Sequence, residues 1–206
     1  MKKVGNYWWP DHDKHWHPVA PSQLADLQNA MKYVKKAGVA VQAGGNVGVW
    51  PKKMAEAFGV VYTFEPDPEN FNCLTKNVQE HNVVKFNAGL ADTHKMITVK
   101  PPVKNEEFNC GAYQTYEGGY IPTLRIDDLD LPGCDLIYLD IEGYELFALQ
   151  GAKKTIEKYH PVIALEQKPL PEMYGLLPDE ATEYLVALHG YTVKERVHRD
   201  TILVKE

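Results

Sequence analysis

Short apolar runs alternate with amphipathic stretches along most of this chain, and the clearest cycle spans Val39 to Pro66. Val39 to Ala43 is a nearly continuous apolar run, the pattern of a strand buried on both faces of a parallel sheet. Gly44, Gly45 and Gly48 follow, then a helix predicted over Gly48 to Phe58 with Pro51 in its first turn, where a missing N–H costs nothing. A second apolar strand ends at Glu65 and Pro66. Asp67-Pro68-Glu69 reads as N-cap, first residue and acidic first turn of a helix running to about Glu80. Val83 to Asn87 is a third strand, Asp135 to Leu139 a fourth and Val162 to Leu165 a fifth. Between the last two, one short helix ends at Gly151 and another covers Ala152 to Lys158. Pro178 to His189 is a helix closed by Gly190, and Tyr191 to Glu195 with Thr201 to Lys205 forms a final hairpin. Strand–helix alternation ending this way predicts an α/β fold: a Rossmann-like, doubly wound, mostly parallel sheet with an antiparallel C-terminal hairpin.

Three stretches fall outside that rhythm or precede it. Ser22 to Lys36 is predicted helical, with Ser22 as N-cap, Gly38 just past its end, and Leu24, Leu27, Met31 and Val34 on one face. From Lys95 to Ile126 the helical period disappears, and two extended pieces flank Pro101-Pro102 and a glycine-rich turn, which suggests an antiparallel excursion or a long loop. Residues 1–21 show no period but carry three of the four tryptophans and His12, His15 and His17. We expect an N-terminal arm there, packing its rings on the domain or covering a ligand, followed by one domain over residues 22–206. The histidines lack metal-ligand spacing, so no metal site is expected.

Length and composition narrow the function. A chain of 206 residues can bury about 70% of its unfolded surface in one core. A net charge of −6 argues against nonspecific nucleic-acid binding, which needs a basic stripe. Cys73, Cys110 and Cys134 are odd in number and lack zinc spacing, which suits a reducing, cytoplasmic setting. No stretch approaches 18 consecutive apolar residues and no apolar leader opens the chain, so neither a membrane span nor a signal peptide is expected.

In an open parallel sheet, ligands bind beyond the C-terminal strand ends at the switch point. Gln42, Glu65, Asp140, Glu142 and Glu166 all stand at or near such ends. Glu65 lies 21 residues after Gly44, about the spacing at which nucleotide-binding units place an acid for ribose hydroxyls. Asp140 and Glu142 could face a cationic sulfonium or an amine. Glu145 is expected to point to solvent or cap a helix, and Glu166 to brace neighbouring loops. A dinucleotide fingerprint would need glycine where Asn46 stands, and no Gly-Lys-Ser/Thr follows the turn, which excludes a phosphate-binding Walker loop.

The blocks Val-Gln-Ala-Gly-Gly-Asn-Val-Gly, Phe-Glu-Pro, Thr-Leu-Arg-Ile-Asp-Asp-Leu, Leu-Asp-Ile-Glu-Gly-Tyr-Glu-Leu-x-x-Leu-x-Gly-Ala and Pro-Val-Ile-Ala-Leu-Glu occur in order and cover roughly Val39 to Glu166. Together they resemble the FkbM-type family of class I S-adenosylmethionine (SAM) methyltransferases, with Asp-x-Glu-Gly-x-Glu the distinctive block. The resemblance implies SAM bound by Gly44, Gly45, Asn46, Gly48, Glu65 and Pro66, with S-adenosylhomocysteine (SAH) as product. It also implies Asp140 and Glu142 beside the transferred methyl, Asp140 touching both cofactor and chemistry. Gln42 stands where the family usually has Asp or Glu; its amide can bond the amino-acid part of SAM but lacks a charge opposite the ammonium. The implied activity is O-methylation of a small-molecule or glycan-like hydroxyl. A non-catalytic SAM-binding module and a nicotinamide-dependent oxidoreductase are the rival readings, the second disfavoured by Asn46.

Overall fold

A computed structural model describes all residues except 15, 16, 18, 19, 21–23, 102–108, 167 and 169. The chain opens with a hairpin, β1 (Lys2–Val4) and β2 (Tyr7–Trp9), and a short helix, α1 (Leu24–Met31). The main layer then builds as β3 (Val39–Ala43), α2 (Val49–Ala55), β4 (Val60–Phe64), α3 (Pro68–Asn77) and β5 (Val83–Phe86). After an excursion it resumes as β10 (Leu136–Leu139), α4 (Glu145–Gln150), α5 (Lys153–Tyr159) and β11 (Val162–Glu166). It closes with α6 (Glu180–His189), β12 (Thr192–Val197) and β13 (Asp200–Val204).

These seven strands lie in the order β12-β13-β11-β10-β3-β4-β5. From β11 to β5 every pairing is parallel; β13 runs antiparallel to β11, and β12 to β13. The expected doubly wound sheet and closing hairpin are both present. Every residue of β3 is buried, as a strand covered on both faces must be. Alternate residues feed two cores: Leu136 and Tyr138 pack with α1, α2 and α3, while Ile137 and Leu139 pack with α4, α5 and α6. Chain order reverses between β3 and β10, and that reversal opens the crevice where ligands bind in such sheets.

Cap chemistry sets the clearest boundaries. Asp67 accepts from the N–H groups of Glu69 and Asn70, with Pro68 first in α3, and Gly190 closes α6 in the left-handed region at φ 66°. The first helix departs from expectation. It stops at Met31 rather than Lys36, and Ser22 lies outside the described residues. Gly38 does not cap it; the N–H groups of Gly38 and Val39 donate to Asp135 Oδ2 at 3.0 and 2.8 Å. That carboxylate holds the backbone at the entry to β3.

The excursion is a second sheet. It comprises β6 (Gly89–Leu90), β7 (Met96–Lys100), β8 (Gln114–Glu117) and β9 (Ile121–Leu124), in the order β6-β9-β7-β8. Tyr116 and Glu117 lie in β8, and the glycine-rich turn is made by Gly118 and Gly119 at φ 78° and 131°. At the N-terminus, Trp9 is 1% exposed within the core, and the Asn77 side chain bonds both the N–H and the carbonyl of Trp8. The described tryptophans of the arm therefore pack against α3, whereas His15 and Trp16 lie outside the described residues. No helix among the described residues is long and apolar enough to cross a membrane.

Candidate functional site

The site begins where β3 stops. Gly44 turns the chain at φ 83°, and a Cβ there would stand 2.0 Å from the Asp140 carbonyl oxygen. Only glycine lets the ends of β3 and β10 come this close. The N–H groups of Gly44 and Gly45 both donate to the Phe64 carbonyl, at 3.1 and 2.8 Å, which ties the turn to the end of β4. Asn46 follows at φ 46°, in the left-handed region that asparagine tolerates better than most residues. Gly48, also left-handed, sits at the N-cap of α2.

This turn floors a cleft that opens to solvent. Of the residues chosen from the sequence, Gly44, Asn46, Glu65, Pro66, Asp140 and Glu142 line it. Gln42, Gly45 and Gly48 stand behind the wall. Gln42 is buried, accepts from the Thr63 hydroxyl at 2.5 Å and donates to the carbonyls of Ala43 and Gly44 at 3.1 and 2.9 Å. Its amide is thus spent on holding the glycine turn. Both donated bonds go to carbonyls, which a carboxylate could not replace.

Glu65 occupies one end of the cleft at 5% exposure. Its Oε2 accepts the Asn46 N–H at 2.6 Å, and its Oε1 accepts the Asp67 N–H at 2.8 Å. Burial, opposed by these bonds, pushes its carboxyl up to about 8. A strand-end acid would be expected to have few partners; this one is bound into two backbone segments. The Asn46 side chain does not stand idle in the turn either. Its Nδ2 donates to the Cys110 carbonyl at 2.6 Å, and Asn70 Nδ2 donates to the same oxygen at 2.8 Å. The Cys110 N–H in turn donates to Asp13 Oδ1 at 3.2 Å, so the N-terminal arm and the excursion meet at the cleft.

The other end is built from side chains alone. Carboxylate oxygens of Asp140, Glu142 and Glu166 lie within 4.8 Å of one another. Lys168 Nζ bridges two of them, 2.8 Å from Glu142 Oε1 and 2.7 Å from Glu166 Oε1. Burial, reinforced by Asp140, raises both Glu142 and Glu166 above the usual carboxylate range. For Lys168 burial acts downward, but Asp140, Glu166 and Glu142 outweigh it and raise the ammonium. The cluster has the donor chemistry for a hard cation, yet its ammonium already bridges two of the three acids. Glu166 therefore belongs to the site rather than to loop bracing alone. Glu145 does not face solvent: it is buried, and its Oε1 accepts from the N–H groups of Ile141 and Gly143 at 3.1 and 3.3 Å. That holds the loop after Asp140, and burial raises Glu145 to about 7.

The arm's described histidines do not converge. His12 Nδ1 lies 3.3 Å from Glu69 Oε2 and its Nε2 3.3 Å from the Tyr113 hydroxyl, while His17 Nδ1 lies 3.2 Å from Asp13 Oδ2. Sequence reasoning missed Asn70, Cys110 and Lys168. Only Lys168 carried a local hint, two residues beyond a strand-end acid.

A seven-stranded sheet of this order, with a glycine turn and a strand-end acid at its switch point, defines a class I methyltransferase fold. The FkbM methyltransferase domain matches residues 42–193, and the chain belongs to that family. It is similar to the hexuronic acid methyltransferase AglP of Haloferax volcanii, 26% identical over an alignment of 150 residues, with 68% of this chain and 58% of that protein covered. The chain thus spans less than two thirds of that relative's length. Among solved structures, methyltransferase FkbM from Methylobacillus flagellatus is 22% identical with a TM-score of 0.55, covering 81% of this chain and 43% of that one. A precorrin-8w decarboxylase from Methanobacterium thermoautotrophicum is 17% identical with a TM-score of 0.56, covering 99% and 98%. At these identities the two structures bear on the fold alone.

Proposed function

We propose that the chain is a SAM-dependent O-methyltransferase acting on a small-molecule or glycan-like hydroxyl, with residues 22–206 as the SAM-binding domain. The observation carrying this reading is one cleft with a backbone-anchored acid, Glu65, at one end and a charged side-chain cluster around Asp140 at the other, floored by Gly44. The cradle suits a nucleoside: its wall holds a buried acceptor, on Asn70, that has no partner. Glu65 would take ribose hydroxyls, with Gly44, Asn46 and Pro66 against the nucleoside and Gln42, Gly45 and Gly48 shaping the turn. Bound SAM supplies a methyl group made electrophilic by its sulfonium. Asp140 would receive the proton of the acceptor hydroxyl, whose oxygen would take the methyl group that a bound sulfonium supplies. Glu142, Glu166 and Lys168 hold the charge of that carboxylate and keep water away from it.

A second groove shares Trp50 and Asp140 with the cleft and continues past Glu166 to Tyr138, Asp200 and Asp26. We assign it to the acceptor, since it begins at the residue nearest the transferred group and offers acceptors for a polyol's hydroxyls. The relative that methylates a hexuronic acid supports a sugar-like acceptor. Three buried free thiols support a reducing, cytoplasmic setting, and a charge of −6 supports small-molecule rather than nonspecific nucleic-acid partners. Labelled SAM offered with uronic acid and neutral glycosides tests the reading. Acceptor-dependent SAH with an alkali-stable methyl ether supports it; an alkali-labile product would move the reaction from hydroxyl to carboxylate. SAH affinity without transfer to any acceptor would favour a binding module.

A further inference from the structure

Asn70 is the third residue of α3, and its neighbours settle which way its amide points. Its Nδ2 donates to the Cys110 carbonyl at 2.8 Å, beside Asn46 Nδ2 at 2.6 Å on the same oxygen. The Cys110 N–H is itself held by Asp13 Oδ1, so this peptide cannot swing away. A carbonyl only accepts, so the nitrogen of Asn70 must face it and the oxygen must face elsewhere. That oxygen is buried without a hydrogen-bond partner, on a residue 2% exposed that lines the cleft next to Glu65. Buried polar atoms in native proteins are nearly always satisfied. An orphan acceptor locked into a cleft wall points to a donor arriving with the ligand.

The neighbouring acid shows which donor. Each Glu65 oxygen already takes one backbone N–H, from Asn46 and from Asp67, and the Asn70 amide nitrogen also acts on this carboxylate. A ribose presents two adjacent hydroxyl donors at once. We propose that Asn70 Oδ1 is the second acceptor for the ribose diol of the nucleoside cofactor, Glu65 receiving one hydroxyl and Asn70 the other. This rests on the SAM reading above and adds a residue that neither the glycine turn nor the strand-end acid marks. It also gives the N-terminal arm a role at the cleft. Asp13 fixes Cys110, Cys110 fixes the Asn70 amide, and the amide presents its oxygen to the sugar.

The test is calorimetric titration of the full chain with SAH and with its 2′-deoxy and 3′-deoxy forms, repeated on Asn70→Ala and Asn46→Ala. Wild type should lose about tenfold in affinity for each deoxy form, one through Glu65 and the other through Asn70. Asn70→Ala should bind SAH about tenfold more weakly and become indifferent to one of the two missing hydroxyls. Asn46→Ala, which loses the other bond to the same Cys110 oxygen but no orphan acceptor, should weaken all three ligands through its own place in the site and keep sensitivity to both hydroxyls. Asn70→Ser, too short to reach, replaces Asn70→Ala if that variant fails to fold. Equal weakening of all three ligands by the Asn70 variants would reduce Asn70 to packing and overturn the proposal while leaving the cofactor reading intact. Failure of wild type to bind SAH at all would overturn both.

Discussion

The two ends of the cleft hold their acids by different means. Glu65 is gripped by backbone N–H groups of Asn46 and Asp67, which come from segments whose course the glycine turn and the α3 cap already dictate. Asp140, Glu142 and Glu166 are held by one another and by Lys168, through side chains from β10, β11 and the loops beyond them. A backbone-anchored acid is a rigid acceptor suited to an invariant ligand. A side-chain network can redistribute protons and charge, which suits a site where a hydroxyl must lose its proton. The difference predicts that substitutions at one end act on cofactor affinity and at the other on turnover.

The largest expected effect is at Asp140. Asp140→Asn removes the proposed proton acceptor and should lower turnover by about 10²–10⁴-fold while SAH affinity changes little. If titration shows affinity lost as steeply as turnover, the two ends are not separate in function. Next comes Lys168→Met, which leaves two buried carboxylates without their cation. Breaking such a pair costs about 3–5 kcal/mol, so thermal melting should fall well below wild type. The loss should shrink in acid, where both carboxyls carry protons; a melting curve displaced equally at every pH would show that Lys168 contributes packing rather than charge.

Glu65→Gln follows. It should weaken SAH by about tenfold to a hundredfold, since charged hydrogen bonds contribute about 1.5–3 kcal/mol. It should also cost about 1–3 kcal/mol of stability, because the amide nitrogen must face one of the two backbone N–H donors. The titration of Glu65 adds a pH signature. Its folded value of about 8 lies above the ordinary 4.5, so its contribution to stability is fully present below 4.5 and is lost as pH rises through 8. Glu145 and Asp200, each raised to about 7 by burial, add to the same decline, so the difference between wild type and Glu65→Gln isolates the Glu65 share. A diol prefers the carboxylate, so SAH binding near pH 7 should release a proton and tighten toward pH 8. Binding enthalpies that do not depend on buffer ionisation would contradict this.

The smallest effect belongs to Gln42. Gln42→Glu restores the acid common in the family, yet it replaces an amide that donates to two carbonyls behind the cleft wall. SAH affinity should stay within about threefold of wild type while stability falls. A large gain in affinity would place this side chain in contact with the ligand and redraw the floor of the cleft.

What the chain states by itself is whatever a short segment can state. The apolar run of β3, the glycines that let Gly44 pass beneath the Asp140 carbonyl, the Asp67-Pro68 cap and the spacing to Glu65 are local, and strand, turn, helix and acid all follow from them. The family blocks added Asp140 and Glu142 in the same local way. Tertiary structure decided the rest. Cys110 meets Asn46 and Asn70 across separations of 64 and 40 residues, and Asp13 joins from 97 residues away. No period or spacing encodes such contacts. They form because two sheets and an N-terminal hairpin pack around one crevice. The same packing turned Glu145 inward, drew Gly38 to Asp135 instead of a helix end, and left one oxygen of Asn70 buried without a partner in the cleft wall.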